Sequence, residues 1–335
     1  MKKSFKKITA VFVAVIVVVG AFAGCSTSKK ENDDKSKISI VATIFPEYDW
    51  VKNILGSHIE DVELTLLLDS GVDLHSYQPT ADDIIKISEC DMFIYVGGES
   101  EEWVEDALAK STNSDMVVIN MLDVLGENAK EEEIVEGMQE DDHDHGEDET
   151  EEHTHEDEYD EHVWLSLKNA QTICEEISKG LAKIDIENAN DYANNLNNYV
   201  AQLSDLDKQY QETVDNAKFK TVVFADRFPF RYMVDDYGLD YYAAFAGCFA
   251  ETEASFETIK FLSEKVDELN LNAVLTIENP QHQIAQTVVE NTKNKNQQIL
   301  SMNSLQSITS SDVENGVTYI SVMTENLEVL KEALS

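Results

Sequence analysis

The stretch ENANDYANNLNNYVAQLSDLDKQYQETVDN, residues 187–216, decides the architecture. Tyr192, Leu196, Tyr199, Leu203, Leu206, Tyr210 and Val214 recur at steps of three and four, which marks one apolar face of a helix. At 1.5 Å per residue such a helix spans roughly 45 Å, long enough to run beside two lobes and join them. Before it, short runs rich in β-branched and aromatic residues fall at 38–44, 62–68, 92–96 and 116–119. Helical patterns lie between and after them, at 48–55, 82–88, 101–110 and 169–183. Beyond it the alternation restarts, with strands at 221–225, 240–245, 273–277 and 298–302 and helices at 228–235, 256–269, 284–292 and 318–334. Such alternation builds largely parallel sheets. The expected fold is therefore α/β, with two α/β lobes of mainly parallel sheets joined by one long helix. Residues 38–185 form the first lobe, 187–216 the connection and 219–335 the second lobe. Only four prolines mark boundaries, and the sequence shows no internal repeat.

The chain starts with a positive cluster, Lys2, Lys3, Lys6 and Lys7, followed by an uncharged apolar run over 8–23. That order reads as a secretory signal over residues 1–24, and the run is short for a membrane span. It closes on Ala21-Phe22-Ala23-Gly24-Cys25, which resembles a bacterial lipobox with Cys25 as the lipidated residue. Residues 25–37 are polar and suit a lipid-attached linker. The expected location is extracytoplasmic, on the outer face of the bacterial cell membrane, held through Cys25. A net charge of −41 argues against nucleic acid or anionic membrane surfaces as partners. Cys90, Cys174 and Cys248 are isolated and odd in number, so no disulfide framework or CxxC site is expected; they read as small buried residues.

Residues 131–161 break the alternation. They hold eighteen Asp or Glu, no Lys or Arg, and His143, His145, His153 and His155. So much like charge with so little apolar content reads as a mobile surface loop. Its paired imidazoles amid carboxylates also suit weak, multiple metal contacts.

In open α/β sheets, ligands sit beyond the C-terminal ends of strands. His75 follows the 62–68 run, Asp226 follows 221–225, Glu251 and Glu253 follow 240–245, and Asn303 follows 298–302, while His162 precedes the 169–183 helix. Two imidazoles with carboxylate and amide oxygens form a mixed set suited to zinc or manganese. His58 and His282 read as ordinary hydrogen-bonded or solvated histidines. No His-Glu-x-x-His, Gly-x-Ser-x-Gly or phosphate-binding glycine loop is present, so the chain does not read as an enzyme.

Asp73-Leu74-His75-Ser76-Tyr77-Gln78-Pro79-Thr80-Ala81-Asp82 resembles the first metal-ligand motif of the zinc and manganese ABC-transporter binding proteins, roughly Asp-Pro-His-x-Tyr-x-Pro-Thr-x-x-Asp. Glu161-His162-Val163-Trp164-Leu165-Ser166 resembles their second motif, Asp-Pro-His-x-Trp-Leu. Residues 90–98 with Glu102-Trp103, then Gly316-Val317-Thr318-Tyr319-Ile320 and Asn326-Leu327, are similar to further family stretches, so the likeness runs from about residue 40 to 334. The resemblance implies two lobes with one metal in the cleft between them, and His75 and His162 as ligands from the first lobe. Zinc members often carry a third His ten residues before Tyr-Gly-Leu; here that place holds Arg227, which cannot ligate a cation. Manganese-type members use a Glu after the next strand, which matches Glu251. The family's final Asp corresponds to Asn303.

The expected ligands are thus His75, His162 and Glu251, with Asn303 or water completing the shell. Asp226 and Glu253 stand in reserve, and Arg227 is expected to pair with an acidic neighbour and hold Glu251 or Glu278. The His-rich loop argues for Zn2+, while Glu251 leans to Mn2+; zinc is the expected cargo. Because imidazoles must be neutral to ligate, affinity is expected to fall below about pH 6.5. The implied function is capture of a divalent metal ion by a monomer and delivery to the ABC permease of an importer. A manganese-binding member of the same class, a surface adhesin lipoprotein and a metal buffer built on the acidic loop alone remain alternatives.

Overall fold

The computed structural model describes residues 37–139, 159–247, 253–278 and 282–335. Strands β1 (Ile38–Ala42), β2 (Val62–Leu66), β3 (Met92–Tyr95) and β4 (Val117–Asn120) form a parallel sheet in the order β2-β1-β3-β4. Strands β5 (Thr221–Phe228), β6 (Asp240–Ala246), β7 (Ala273–Ile277) and β8 (Gln298–Met302) form a second parallel sheet, β6-β5-β7-β8. The two sheets therefore repeat one strand order, although no sequence repeat announces it. In each sheet the order reverses between the first and third strands, which places a ligand-binding crevice at their C-terminal ends. The central strands are runs such as AVLTI, buried on both faces, as helix-covered parallel sheets require.

The first lobe carries α1 (Phe45–Leu55), α2 (Ala81–Glu89), α3 (Trp103–Leu108) and the short α4 (Met121–Leu125), followed by α5 (Leu167–Ile184). The second carries α7 (Arg231–Tyr237), α8 (Phe256–Leu269), α9 (Gln283–Asn291), α10 (Ser310–Glu314) and α11 (Tyr319–Ala333). Between them runs α6 (Ala189–Asn216), 28 residues long. It packs on α5 and α1 of the first lobe and on α11 and α7 of the second. Its buried face is the one its periodicity marks: Tyr192, Tyr199, Leu203, Leu206, Tyr210 and Val214. The tyrosines bury their rings and send their hydroxyls to both sides. Tyr199 donates to Asp49 of α1 at 3.5 Å, and Tyr210 donates to the Met323 carbonyl of α11 at 2.6 Å.

The helix is not the only junction. One continuous apolar core runs from Ile40 in β1 to Leu334 at the end of α11, and a second cluster lies under α8 and α9 on the far face of the second sheet. Tyr319, at the start of α11, is buried where the lobes meet. Its ring stands edge-on to Trp50 at 5.2 Å, its hydroxyl donates to the Trp164 carbonyl at 2.6 Å, and its amide donates to Asp49 at 3.0 Å.

Burial pushes the Asp49 carboxyl up from 3.8 to about 6, against the bonds from the Tyr319 amide, Tyr199 and Asn53. A native pKa above the unfolded one means that stability is fully present below about pH 4 and is lost as pH rises through about 6. The lost part is about 3 kcal/mol. Asp49→Asn should accordingly gain on the parent chain by about that amount between pH 4 and pH 8, read by urea denaturation at both values. A difference that stays flat with pH would contradict the buried-charge account.

Three expectations need correction. β5 continues through Asp226 and Arg227 to Phe228 instead of ending at 225; its register against β6 shifts between Phe224 and Arg227, a bulge that re-aims the side chains there. The helix expected at 228–235 starts three residues later, at Arg231. The acidic segment is also not a surface loop throughout. Residues 131–139 lie along the second lobe: Glu133 accepts from Tyr241 at 3.2 Å and pairs with Arg231 at 2.8 Å, and the Gln139 amide donates to the Ala244 carbonyl at 3.0 Å. At its other end Asp160 and Glu161 are buried. His143, His145, His153 and His155 lie outside the described residues, as do Cys25 and Cys248. Cys90 and Cys174 are buried and free.

Candidate metal centre

His75 sits in a single 3-10 turn, Leu74–Ser76, in the loop after β2. Leu74 anchors the turn in the core, and Asp73 caps it by accepting the His75 amide at 3.0 Å. His162 precedes another 3-10 turn, Val163–Leu165, all three residues of which are buried. Asp160 accepts both the His162 amide, at 2.8 Å, and its Nδ1, at 3.0 Å. The Tyr232 hydroxyl, from the second lobe, donates to the Asp160 carbonyl at 2.9 Å.

These two turns, 87 residues apart in sequence, bring the imidazoles together with Nε2 facing Nε2 at 3.2 Å. On the far side of each ring, Nδ1 meets oxygen: Asp160 for His162, and Ser100 Oγ at 2.7 Å with Glu161 Oε2 at 3.4 Å for His75. A carboxylate oxygen only accepts, so Asp160 assigns the His162 ring proton to Nδ1; the Ser100 hydroxyl can donate or accept, and at His75 it is the more distant Glu161 carboxylate that favours the same tautomer. With Nδ1–H on both rings, the two Nε2 atoms present lone pairs to each other. Two lone pairs at that separation repel unless a cation or a shared proton lies between them. A tetrahedral zinc with Zn–N lengths of about 2.0–2.1 Å separates its nitrogens by about 3.4 Å, close to what is found.

Burial drives the His75 pKa down to about 3, with the neighbouring His162 second among the causes. This ring is already neutral in mildly acidic solution, so it contributes nothing to the expected loss of affinity below pH 6.5.

Asp73 links the pair to the second lobe. Its Oδ1 lies 3.9 Å from His75 Nε2, and its Oδ2 accepts from Arg227 Nη2 at 2.7 Å. Burial would raise its carboxyl, but Arg227 and then His75 outweigh that and hold it below the usual range. Arg227 therefore does pair with an acid, but with Asp73 and not with Glu278. Glu278 instead accepts from the Ser304 amide and hydroxyl, at 2.7 and 2.6 Å, and from Ser307 at 3.1 Å. Asp73, Arg227, Glu278, Gly71 and Gln306 line a cavity of about 140 Å³. The Gln306 side-chain oxygen is buried without a hydrogen-bond partner.

The remaining expected residues are placed differently. Asn303 lies beside this cavity's Ser304, but its side-chain oxygen accepts the Leu305 amide at 2.7 Å and its backbone is tied to Asn326. No bond joins it to either imidazole. Asp226 accepts the Arg227 amide at 2.9 Å, and its carboxyl is raised by burial. Glu253 is exposed. Glu251 lies outside the described residues, and at Gly247 the backbone closes on the site: a Cβ there would come within 2.8 Å of His162 Cε1. His58 and His282 take ordinary partners, Asp191 and Thr276, each at 3.0 Å. Among the described residues, no three His, Cys, Asp or Glu side chains converge closely enough to hold a metal ion by themselves. Asp73, Asp160, Glu161 and Gln306 are the site residues that sequence reasoning passed over. Asp73 was legible as part of the first motif, whereas Asp160 and Glu161 were hidden in the acidic run.

The sequence model of the zinc-uptake complex component A family, described as periplasmic, matches residues 40–333. The chain belongs to this family. Among its relatives is the high-affinity zinc uptake system protein ZnuA of Bacillus subtilis, 31% identical over 332 residues and covering 98% of each chain. The zinc-binding protein AdcA of Streptococcus pyogenes is 29% identical over 314 residues, covering 92% of this chain. The chain spans 58% of the length of that relative. The crystal structure of Zn(II)-bound AdcA from Streptococcus pneumoniae superposes with a TM-score of 0.68 at 27% identity, over 89% of this chain and 58% of the other. Within the zinc-uptake family, Arg227 and Asn303 stand where the motif resemblance leads one to expect metal-ligating side chains.

Proposed function

We propose that this chain is an extracytoplasmic solute-binding protein that captures zinc and delivers it to the permease of an ABC importer. The observation that carries the reading is the pair of buried imidazoles turned Nε2 to Nε2 at 3.2 Å, each with its other nitrogen facing an oxygen. Family membership and zinc-named relatives on both sides of 30% identity support it. His75 and His162 supply nitrogen ligands. Glu251, the motif position after β6, is proposed to supply a carboxylate. Water completes the shell in place of Asn303, whose oxygen is already engaged. Lipidation at Cys25 would hold the protein at the outer face of the membrane. Its job is capture and release, with no covalent bond made or broken.

The test is metal content. The purified chain, exposed to equal zinc and manganese and then desalted, should retain one zinc by elemental analysis. Retention of manganese instead, or of neither, would overturn the reading. Replacing residues 140–158 by a glycine–serine linker of the same length should remove weaker additional zinc but leave the one tight ion. The flanks at 131–139 and 159–161 are kept because they pack on the lobes. Loss of the tight ion in that variant would move the site into the His-rich segment.

A further inference from the structure

We propose that Glu161 is the positioning residue of His75: reaching over from the segment that carries His162, its carboxylate fixes the other histidine's ring with the proton on Nδ1 and the Nε2 lone pair turned to the cargo. This rests on the two-histidine capture site described above.

Glu161 is buried, 2% exposed, and a carboxylate there is costly unless each oxygen is used. One oxygen is used conventionally: Oε1 accepts the Ser100 amide at 2.8 Å. Oε2 has no hydrogen-bond partner, and it lies 3.4 Å from His75 Nδ1. Ser100 Oγ completes the triangle at 2.7 Å from the same nitrogen. A proton on Nδ1, directed at Ser100 Oγ and Glu161, accounts for the otherwise unfilled acceptor.

The backbone is shaped for this carboxylate. Gly98, just after β3, has φ 84°, a region that disfavours any side chain, and a Cβ there would collide with Glu161 Oε1. The loop that carries Gly98 and Ser100 is itself pinned from beneath by Glu101, which accepts the Gly97 amide at 2.9 Å. Glu161 therefore makes each histidine's orientation depend on the same short segment: Asp160 sets His162, and Glu161 sets His75. Carboxylates behind ligating imidazoles fix the tautomer, and their loss typically weakens metal binding 10- to 100-fold.

The decisive variant is isosteric. In Glu161→Gln, the amide oxygen takes the Ser100 amide, and the NH2 group faces His75 Nδ1. A donor there drives the ring proton to Nε2, the atom that must be free. In the full chain labelled with 15N in its histidine rings and free of metal, wild-type His75 should show the Nδ1–H form, its signals assigned by their loss in His75→Ala. Glu161→Gln should shift His75 towards the Nε2–H form and weaken zinc binding 10- to 100-fold in competition with a chromogenic chelator. A wild-type ring already carrying its proton on Nε2 would overturn the proposal without any variant. Glu161→Gln with unchanged tautomer, or with wild-type affinity, would reduce Glu161 to a packing role. If instead His75→Ala with His162→Ala still holds zinc, the capture site fails, while the tautomer measurement still decides what Glu161 does to the ring.

Discussion

Replacing His75 and His162 together by alanine is expected to strip the purified protein of its stoichiometric zinc. Tight protein zinc sites are worth roughly 10–16 kcal/mol, so each of about four ligands carries about 3 kcal/mol. Removing two costs about 6 kcal/mol, a loss on the order of ten-thousand-fold in affinity. The fold should survive. The turn holding His75 is anchored by Leu74 and capped by Asp73, and the segment around His162 is held by Val163, Trp164 and Leu165, all buried. Zinc should therefore raise the melting temperature of the parent chain and leave that of the double variant unmoved, since only a ligand that binds the native state stabilises it. Full zinc content in the double variant would remove the basis of the assignment.

Arg227→His should act in the opposite direction and tighten zinc binding by roughly 10- to 100-fold. Arg227 brings a fixed positive charge onto Asp73, whose other oxygen lies 3.9 Å from His75 Nε2. A divalent cation arriving at that nitrogen is repelled by the guanidinium and competes with it for the carboxylate, an opposition worth about 1–3 kcal/mol at a partly solvated site. An imidazole at 227 removes the charge and offers a nitrogen ligand. Chelator competition measures the change. A weaker site in Arg227→His would mean that the Asp73–Arg227 pair holds the lobes in the binding arrangement and that its loss outweighs the relief of charge.

Much of the architecture could be read in advance because local signals and burial agree. The strands at 273–277 and 298–302 and the helix at 256–269 stand where periodicity puts them, since each is a short run with polar residues on both sides. β5 was cut short because Asp226 and Arg227 look like loop residues; a bulge lets the strand carry them. The acidic run misled in another way. Composition describes its average, but Asp160 and Glu161 are buried by partners far along the chain, Tyr232 and Ser100, which no local window contains. Arg227 meets Asp73 across 154 residues for the same reason. His75 and His162 were singled out by their places after a strand and before a helix and by the motifs around them, and the structure brings their rings together at 3.2 Å. Asn303 gives its oxygen to the Leu305 amide because an amide at the end of a strand serves its own turn as readily as it serves an ion.

The apolar interior shared by both halves, with Asp49 capping a helix of the opposite lobe through the Tyr319 amide, bears on how cargo leaves. Jaws that open about a hinge need surfaces that tolerate water when parted. Here, swinging the halves open would wet Trp50 and Tyr319, whose rings meet across them. On the proposed capture reading, release is expected to come from small displacements of the turns around the two imidazoles, with the body of the molecule standing still.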